Sequence, residues 1–520
     1  MLPGKTHESE TQRLRSLERL ATIASGQQAI DSLHARGKLT ARERIDELLD
    51  PGTFVELNML AESQSVEFGM QEKKIPGDGS ITGYGQIDGR LVYVFAQDST
   101  VLGGSVGTVH GKKICYLMDE AIKVKAPIFG LCDSGGGRIH EGFTATEWVA
   151  GMFYRNTAAS GVVPQLSAVM GTCAGVAAYS PAITDFLFMV DSGSEMAITG
   201  PAVIKSVTGE KITMVELGGA KVHSEITGTA HLVGRTEQEC LSIMRRVFSY
   251  LPSNNTKLPP VVQTGDDPDR LTPNAADVVP PDVRKVYDMR KVIAHLVDNG
   301  EFLEILPRFA RNMVIGFARM DCQTVGIIAN QPLFMAGSLD VNAADKAARF
   351  IRFCDAFNIP LVNLVDVPGF LPGVRQEHSA IIRHGAKMLY AYAEATVPKI
   401  TLVLRKNYGG AVMAMCSVGM GVDEMLAWPI AQMAVLDTAT GVRLIYRKEI
   451  KEAEDPTEFV LQKIEEYDRK YSNPFDAAGK MLVHAVIEPE QSRRRIIQAL
   501  RRLRDKQQAR PERKHGNIPL

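Results

Sequence analysis

The sequence predicts an α/β protein built from two copies of one unit. Two observations carry this: short buried strands pass directly into glycine turns and then helical segments, and the same series recurs in each half of the chain. A third is the stretch from Leu251 to Arg284, rich in Pro, Asn and Asp, which parts the halves.

At 520 residues the chain exceeds one ordinary core, since domains average roughly 100–200 residues. With 45% hydrophobic and 23% charged residues and a formal net charge of -1, it has a globular composition and no polyanion-binding excess, so no nucleic-acid partner is expected. The seven cysteines lie far apart, with neither zinc-type C-x-x-C spacing nor the density of a secreted disulfide scaffold, so no metal site is expected. Met1 to Leu20 lacks the apolar core of a secretory signal, and no run of about 18 apolar residues occurs elsewhere. No membrane span and a cytoplasmic location are the expectations.

The chain opens on a helix with Leu14, Leu17, Leu20 and Ala21 on one stripe, read as a docking arm. In the first half PIFGLCD (Pro127 to Asp133) runs into SGGG, and PQLSAVMGTCAG (Pro164 to Gly175) runs into a second small-residue turn. The stretch from Leu251 to Arg284 cannot sustain helix or strand and sets the division into residues 1–260 and 261–520. In the second half PLVNLVD (Pro360 to Asp366) runs into VPGF, and PKITLVLRKNYGG (Pro398 to Gly410) runs into Ala411. The closing helix places Ile496, Leu500 and Leu503 on one face and Arg493, Arg494, Arg501, Arg502 and Arg504 on a solvated opposite face.

A strand that ends in small residues and enters a helix leaves backbone N–H groups unpaired at the positive end of the helix dipole. Such a corner binds anions. When the anion exists only in a transition state it is an oxyanion hole, and deleting one donor costs about two to three orders of magnitude in rate. The candidate donors are Gly175 with Val176 and Gly410 with Ala411. A turn glycine is otherwise explained by backbone conformation alone, but two such turns at matched places in two copies are harder to assign to packing.

Side-chain chemistry finds less support. GTCAG imitates a nucleophile elbow around Cys173, but no His or acid stands in frame, and a buried small cysteine is expected. GYGQIDG (Gly83 to Gly89) misses the dinucleotide spacing, and no Walker loop follows a strand. Asp133 and Asp366 end their strands at equivalent points; capping of the following turn is favoured over general-base roles.

Long segments resemble the carboxyltransferase family of acyl-CoA carboxylases, especially its propionyl-CoA carboxylase β-subunit type. They include HARGKLTARERIDELLDPGTFVE (His34 to Glu56), KIPGDGSITGYGQIDGRLVYVFAQD (Lys74 to Asp98), the span from Asn330 to Gly373, RHGAKMLYAYAEATVPKITLVLRK (Arg383 to Lys406) and the closing KHGNIPL. The resemblance implies two tandem crotonase-like domains of ββα units, dimers that assemble into a hexamer, and an active site between the first half of one subunit and the second half of another. It implies acyl-CoA beside Gly175 and Val176, with Gly135, Gly136, Gly137 and Ala174 lining that site. Carboxybiotin is implied beside Gly410 and Ala411; Gly409 and Met413 are expected to bind substrate, Met413 at a position tied to acyl-chain choice. No EAMKM-type biotinylation segment occurs, and GAKM (Gly385 to Met388) sits in a helical stretch, so biotin is expected on a separate carrier, with biotin carboxylase as partner.

The sequence departs from the family pattern in four places. Val176 stands where a second glycine is usual, Gly137 where Ala is usual, and Met413 where many relatives carry Asp. LDTATGV (Leu436 to Val442) places Asp437 and Thr440 where glycines are expected. The run AMCS (Ala414 to Ser417) is also similar to sodium-pump methylmalonyl-CoA decarboxylase subunits, which work in reverse. Carboxylation of propionyl-CoA, then acetyl-CoA, is the leading expectation; the decarboxylase and an inactive scaffold paralogue are the alternatives.

Overall fold

The computed structural model describes residues 6–520; the first five residues, part of the stretch read above for a signal, lie outside the described residues. Two compact units divide the chain at Lys257 and Leu258. Each holds one eight-stranded mixed sheet.

In unit 1 the strands are β1 (Val55–Leu57), β2 (Ser80–Ile87), β3 (Arg90–Gln97), β4 (Ile128–Ser134), β5 (Gln165–Ala174), β6 (Phe186–Val190), β7 (Glu195–Ala197) and β8 (Leu232–Gly234). Their order is β1-β2-β3-β4-β5-β6-β8, with β7 on the far end of β5. The β1–β2–β3 pairs are antiparallel, and from β3 onward the sheet is parallel. Unit 2 repeats the plan with β9 (Phe302–Ile305), β10 (Met313–Met320), β11 (Gln323–Asn330), β12 (Leu361–Val367), β13 (Lys399–Tyr408), β14 (Glu424–Ala427), β15 (Gln432–Ala434) and β16 (Ala485–Val486). There the order is β9-β10-β11-β12-β13-β14-β16, with β15 on the far end of β13.

The four strands expected from the apolar runs are β4, β5, β12 and β13, and β4, β12 and β13 are buried along their whole length. Proline stands just before each. Lacking an N–H it cannot extend the ladder, but its carbonyl starts it: Tyr93 N donates to Pro127 O at 2.9 Å and Gly326 N to Pro360 O at 2.8 Å.

Helix Thr108–Val124 packs on Phe143–Ala159 in unit 1, as Val341–Ala356 does on Ile381–Glu394 in unit 2. Each first helix carries a buried lysine that knots the loop before the sheet. Lys113 Nζ donates to Gly77 O at 3.0 Å, and Lys346 Nζ to Leu306 O and Met313 O at 2.8 and 2.7 Å. Ammonium groups at such depth persist only with acceptors around them, and carbonyls supply these.

Two expectations are corrected. Arg493 is not on a solvated face: it is fully buried, donating to Leu296 O at 2.8 Å and to Asp298 Oδ1 at 2.7 Å, because helical spacing turns it toward the core alongside Ile496 and Ile497. The Leu251 to Arg284 stretch does sustain one short helix, Ala275–Val278, anchored by burial of Ala275. The opening helix is present as His7–Ile23; within the chain only Ala21 of its apolar stripe is buried, and Leu14 and Leu20 are exposed.

Candidate functional site

In unit 1, β4 ends in Ser134 and the chain crosses the sheet top as Gly135, Gly136 and Gly137. Gly135 N donates to Gly103 O at 3.0 Å and Gly136 N to Ser134 Oγ at 3.2 Å. Gly136, at φ 104°, could not take a side chain there, since a Cβ would stand 2.9 Å from Ala174 O. Val106 bonds on both sides of Gly137, accepting from Arg138 N at 3.0 Å and donating to Gly136 O at 2.8 Å. The amide of Gly137 itself makes no hydrogen bond among the described residues. Facing it, β5 ends at Ala174, Gly175 turns at φ 60°, and a 3-10 turn runs Gly175–Ala178. A Cβ on Gly137 would lie 3.5 Å from Val176 Cγ2, so these two residues border one corner.

Unit 2 repeats the construction. Leu339 accepts from Leu371 N at 2.8 Å and donates to Gly369 O at 3.0 Å, leaving the Phe370 amide between them without an acceptor among the described residues. Gly409 turns at φ 62° and donates to Ala434 O at 3.0 Å. Gly410, the N-cap of helix Ala411–Ala414, has an amide with no acceptor among the described residues, and a Cβ on it would lie 3.6 Å from the Phe370 ring. Ala411 is buried, and Met413, farther along the turn, is half exposed.

The register fixes the equivalence of the corners. Ala174 pairs with Ala197, and Tyr408 pairs with Ala434. Gly175 therefore corresponds to Gly409 and Val176 to Gly410, so the expected pair Gly410 and Ala411 stands one residue out of step with Gly175 and Val176. Sequence alone aligned the glycines; strand pairing and the shared left-handed turn set the true match. Phe370, the counterpart of Gly137, was missed because any residue offers an amide and its side chain carries no signal. Each is the fourth residue after the penultimate aspartate of its strand, which could have marked it.

Those aspartates do not cap the following turns. Asp133 Oδ2 accepts from Arg44 Nη1 and Ser99 Oγ, both at 3.1 Å, and Arg44 also forks onto Glu237 at 2.8 and 2.9 Å. Asp366 Oδ2 accepts from Arg405 Nε at 3.0 Å and lies 2.9 Å from Arg405 Nη2. A buried carboxylate must be paired, and the partner comes from a different element in each unit. Strand register puts Gly171 where unit 2 has Arg405, and a Cβ on Gly171 would stand 2.1 Å from Asp133 Oδ1. The absent side chain leaves room for the carboxylate, and Arg44 reaches in from helix Ala41–Leu48.

Cys173 is fully buried, with Sγ 3.3 Å from Ala177 O, and burial pushes its thiol well above the usual range. Burial and the raised pKa both argue against a nucleophilic role. Lys406, 6% exposed, has Nζ 3.7 Å from Asp366 Oδ1, and burial lowers its pKa. Asp437 caps the helix Thr438–Ile445 through Oδ1, which accepts from Thr440 N at 3.0 Å. The preceding Val435 is 80% exposed, and its carbonyl lies 3.4 Å from where a Gly409 Cβ would be. The corners thus offer main-chain donors with no catalytic side-chain dyad, an arrangement suited to holding a developing oxyanion.

Two tandem crotonase-like units with amide-lined corners are the architecture of carboxyltransferases, and the comparisons place the chain among them. Residues 32–518 match the carboxyl transferase domain family, and the chain belongs to that family. It is 50% identical to the methylmalonyl-CoA decarboxylase subunit alpha of Propionigenium modestum, covering 98% of each chain. It is also 50% identical to the mitochondrial propionyl-CoA carboxylase beta chain of Homo sapiens, over 98% of this chain and 94% of that one. Among solved structures, the transcarboxylase 12S hexamer core with methylmalonyl-coenzyme A bound superposes with a TM-score of 0.97 at 46% identity, covering all of both chains.

Proposed function

We propose that the protein is the carboxyltransferase subunit of a biotin-dependent acyl-CoA carboxylase, acting on a short or branched acyl-CoA, propionyl-CoA first and acetyl-CoA next. The single observation that carries this is the repeated corner, in which a residue four past the aspartate faces the end of the neighbouring strand and keeps its amide unpaired.

Carboxybiotin, on a separate carrier served by a biotin carboxylase, supplies the carboxyl group and the base. In unit 2 the Gly410 amide, with Ala411 and Phe370 beside it, holds the ureido oxygen, and the unpaired donors there fit a group that gains negative charge. In unit 1 Gly175, Val176 and Gly137 hold the thioester oxygen as the α-proton leaves, while Gly135, Gly136 and Ala174 shape the floor. The enolate formed is stabilised by dipoles that need not reorganise. Gly409 sets the turn, and Met413 borders the acyl or biotin entrance. The unit 1 corner of one subunit faces the unit 2 corner of another in a hexamer, and a cytoplasmic location goes with this role.

A coupled assay with biotinylated carrier, biotin carboxylase, ATP, bicarbonate and an acyl-CoA panel tests the proposal. Propionyl-CoA is expected to be carboxylated fastest, and no product with any panel member refutes a carboxylase. The decarboxylase direction is a second reading, supported by the 50% identity to the Propionigenium subunit; carboxyl transfer from methylmalonyl-CoA to free biotin, together with a membrane partner, would select it. Failure to exchange the acyl-CoA α-proton despite intact assembly would select a scaffold instead.

A further inference from the structure

The edge of each sheet at the N-terminal ends of its parallel strands lies opposite the corners and takes no part in the proposed reaction. In unit 1 that edge is closed. Arg90, the first residue of β3, donates to the carbonyls of Phe248 and Leu251, each at 2.7 Å, and its guanidinium carbon stands 3.6 Å from the Phe248 ring centre. The chain that follows then seals the strand ends: Asn254 Nδ2 donates to Lys125 O at 2.9 Å, and Asn255 N to Val162 O at 3.0 Å.

In unit 2 the duplicated position is Gln323. Arg90 pairs with Ile87 across one hairpin as Gln323 pairs with Met320 across the other. Here the edge opens into a cavity of about 390 Å³. Its walls include Val325, Pro360, Pro398 and Leu500. Also lining it is Thr324, 2% exposed, whose hydroxyl has no hydrogen-bond partner. A buried hydroxyl left without a partner costs roughly 1–3 kcal/mol, so the site is short of one polar group.

The rim is cationic. Arg501 is committed to Asp321 at 2.7 and 3.0 Å, and Lys506 to Asp423 at 2.7 Å. Arg504 also lines the cavity and forms no ion pair among the described residues. One uncompensated cation, an apolar wall and one needy hydroxyl define a single-charged ligand with an aliphatic body. The volume is at the small end of ligand pockets, which run from about 300 to 1,000 Å³.

We propose that this cavity in unit 2 binds a small amphiphilic carboxylate, its aliphatic part on the Val325, Pro360 and Pro398 wall and its carboxylate directed to Arg504 and Thr324. The site is separate from the reaction, so its failure leaves the carboxyltransferase proposal untouched.

Calorimetric titration of octanoate into the full-length assembled protein tests it, with octanol, acetate and inorganic phosphate as comparison probes. Octanoate is expected to saturate at one per chain with Kd below about 1 mM, and each comparison probe to bind at least about tenfold more weakly. Gln323→Arg, which installs the residue that closes unit 1, abolishes binding. Arg504→Gln weakens it about tenfold with thermal midpoint and carboxyl transfer unchanged. No saturable heat with octanoate, octanol binding as tightly, phosphate binding more tightly, or full affinity in both variants would each overturn the proposal.

Discussion

At the scale of single residues, Gly410 makes the oxyanion proposal sharply testable. Its φ of -61° already suits a proline ring, so Gly410→Pro removes the unpaired amide without changing the φ of that residue. Carboxyl transfer is expected to fall about a hundred- to a thousandfold, with the circular dichroism spectrum unchanged; retention of near-full activity would remove this amide from the reaction. Behind the other corner, Arg44 holds two buried carboxylates, Asp133 and Glu237, with side-chain exposures of 7% and 3%. Arg44→Leu strands both charges and is expected to cost about 3–5 kcal/mol, read as a lowered thermal midpoint. Gly171→Ala forces a methyl against the Asp133 carboxylate and is expected to destabilise by about 1–3 kcal/mol.

At the scale of elements, helix Thr108–Val124 carries a pH-dependent load. His110 is fully buried with its ring nitrogens 3.2 Å from Gln97 Nε2 and from Asp78 O. Burial, then the nearby Arg138 and Lys113 charges, push its pKa down to about 3. An unfolded histidine titrates near about 6.5, so below that pH the unfolded chain binds a proton that the folded one refuses. Stability is therefore expected to fall as pH drops from about 6.5 toward about 3. Thermal midpoints measured at pH 7 and pH 5 should differ less in His110→Gln than in the parent; an equal pH slope in both would locate the acid sensitivity elsewhere.

At the scale of the molecule, the residues that follow the two aspartate loops leave large apolar side chains in water. Ile139 is 85% exposed, Phe143 75% and Ile382 79%. Such side chains next to a proposed reaction corner suit coverage by a second copy. Ile382→Lys is expected to shift the sedimentation profile of the assembled protein toward smaller species and to lower carboxyl transfer in proportion; an unchanged profile would exclude this face from assembly.

Much of this architecture is legible in the sequence. Apolar runs bounded by proline and glycine located β4, β5, β12 and β13, because a strand buried on both faces needs continuous apolar residues and its ends need special backbone geometry. The duplication was visible for the same reason, and the glycine corners with it. Side-chain partners were another matter: Asp133 and Asp366 were read as caps, yet they pair with Arg44 and Arg405, whose positions follow from helix docking and strand register. Phe370 gave no sign because its contribution is an amide that every residue but proline possesses. Composition and periodicity thus determined which segments are strands, which are helices and where the chain must turn, since those are local consequences of burial and backbone freedom. Which amides stay unpaired, which residue of unit 2 matches Val176, and why one sheet edge is sealed while the other is hollow were decided only when distant segments came together, because hydrogen-bond partners and cavities are properties of three-dimensional neighbours.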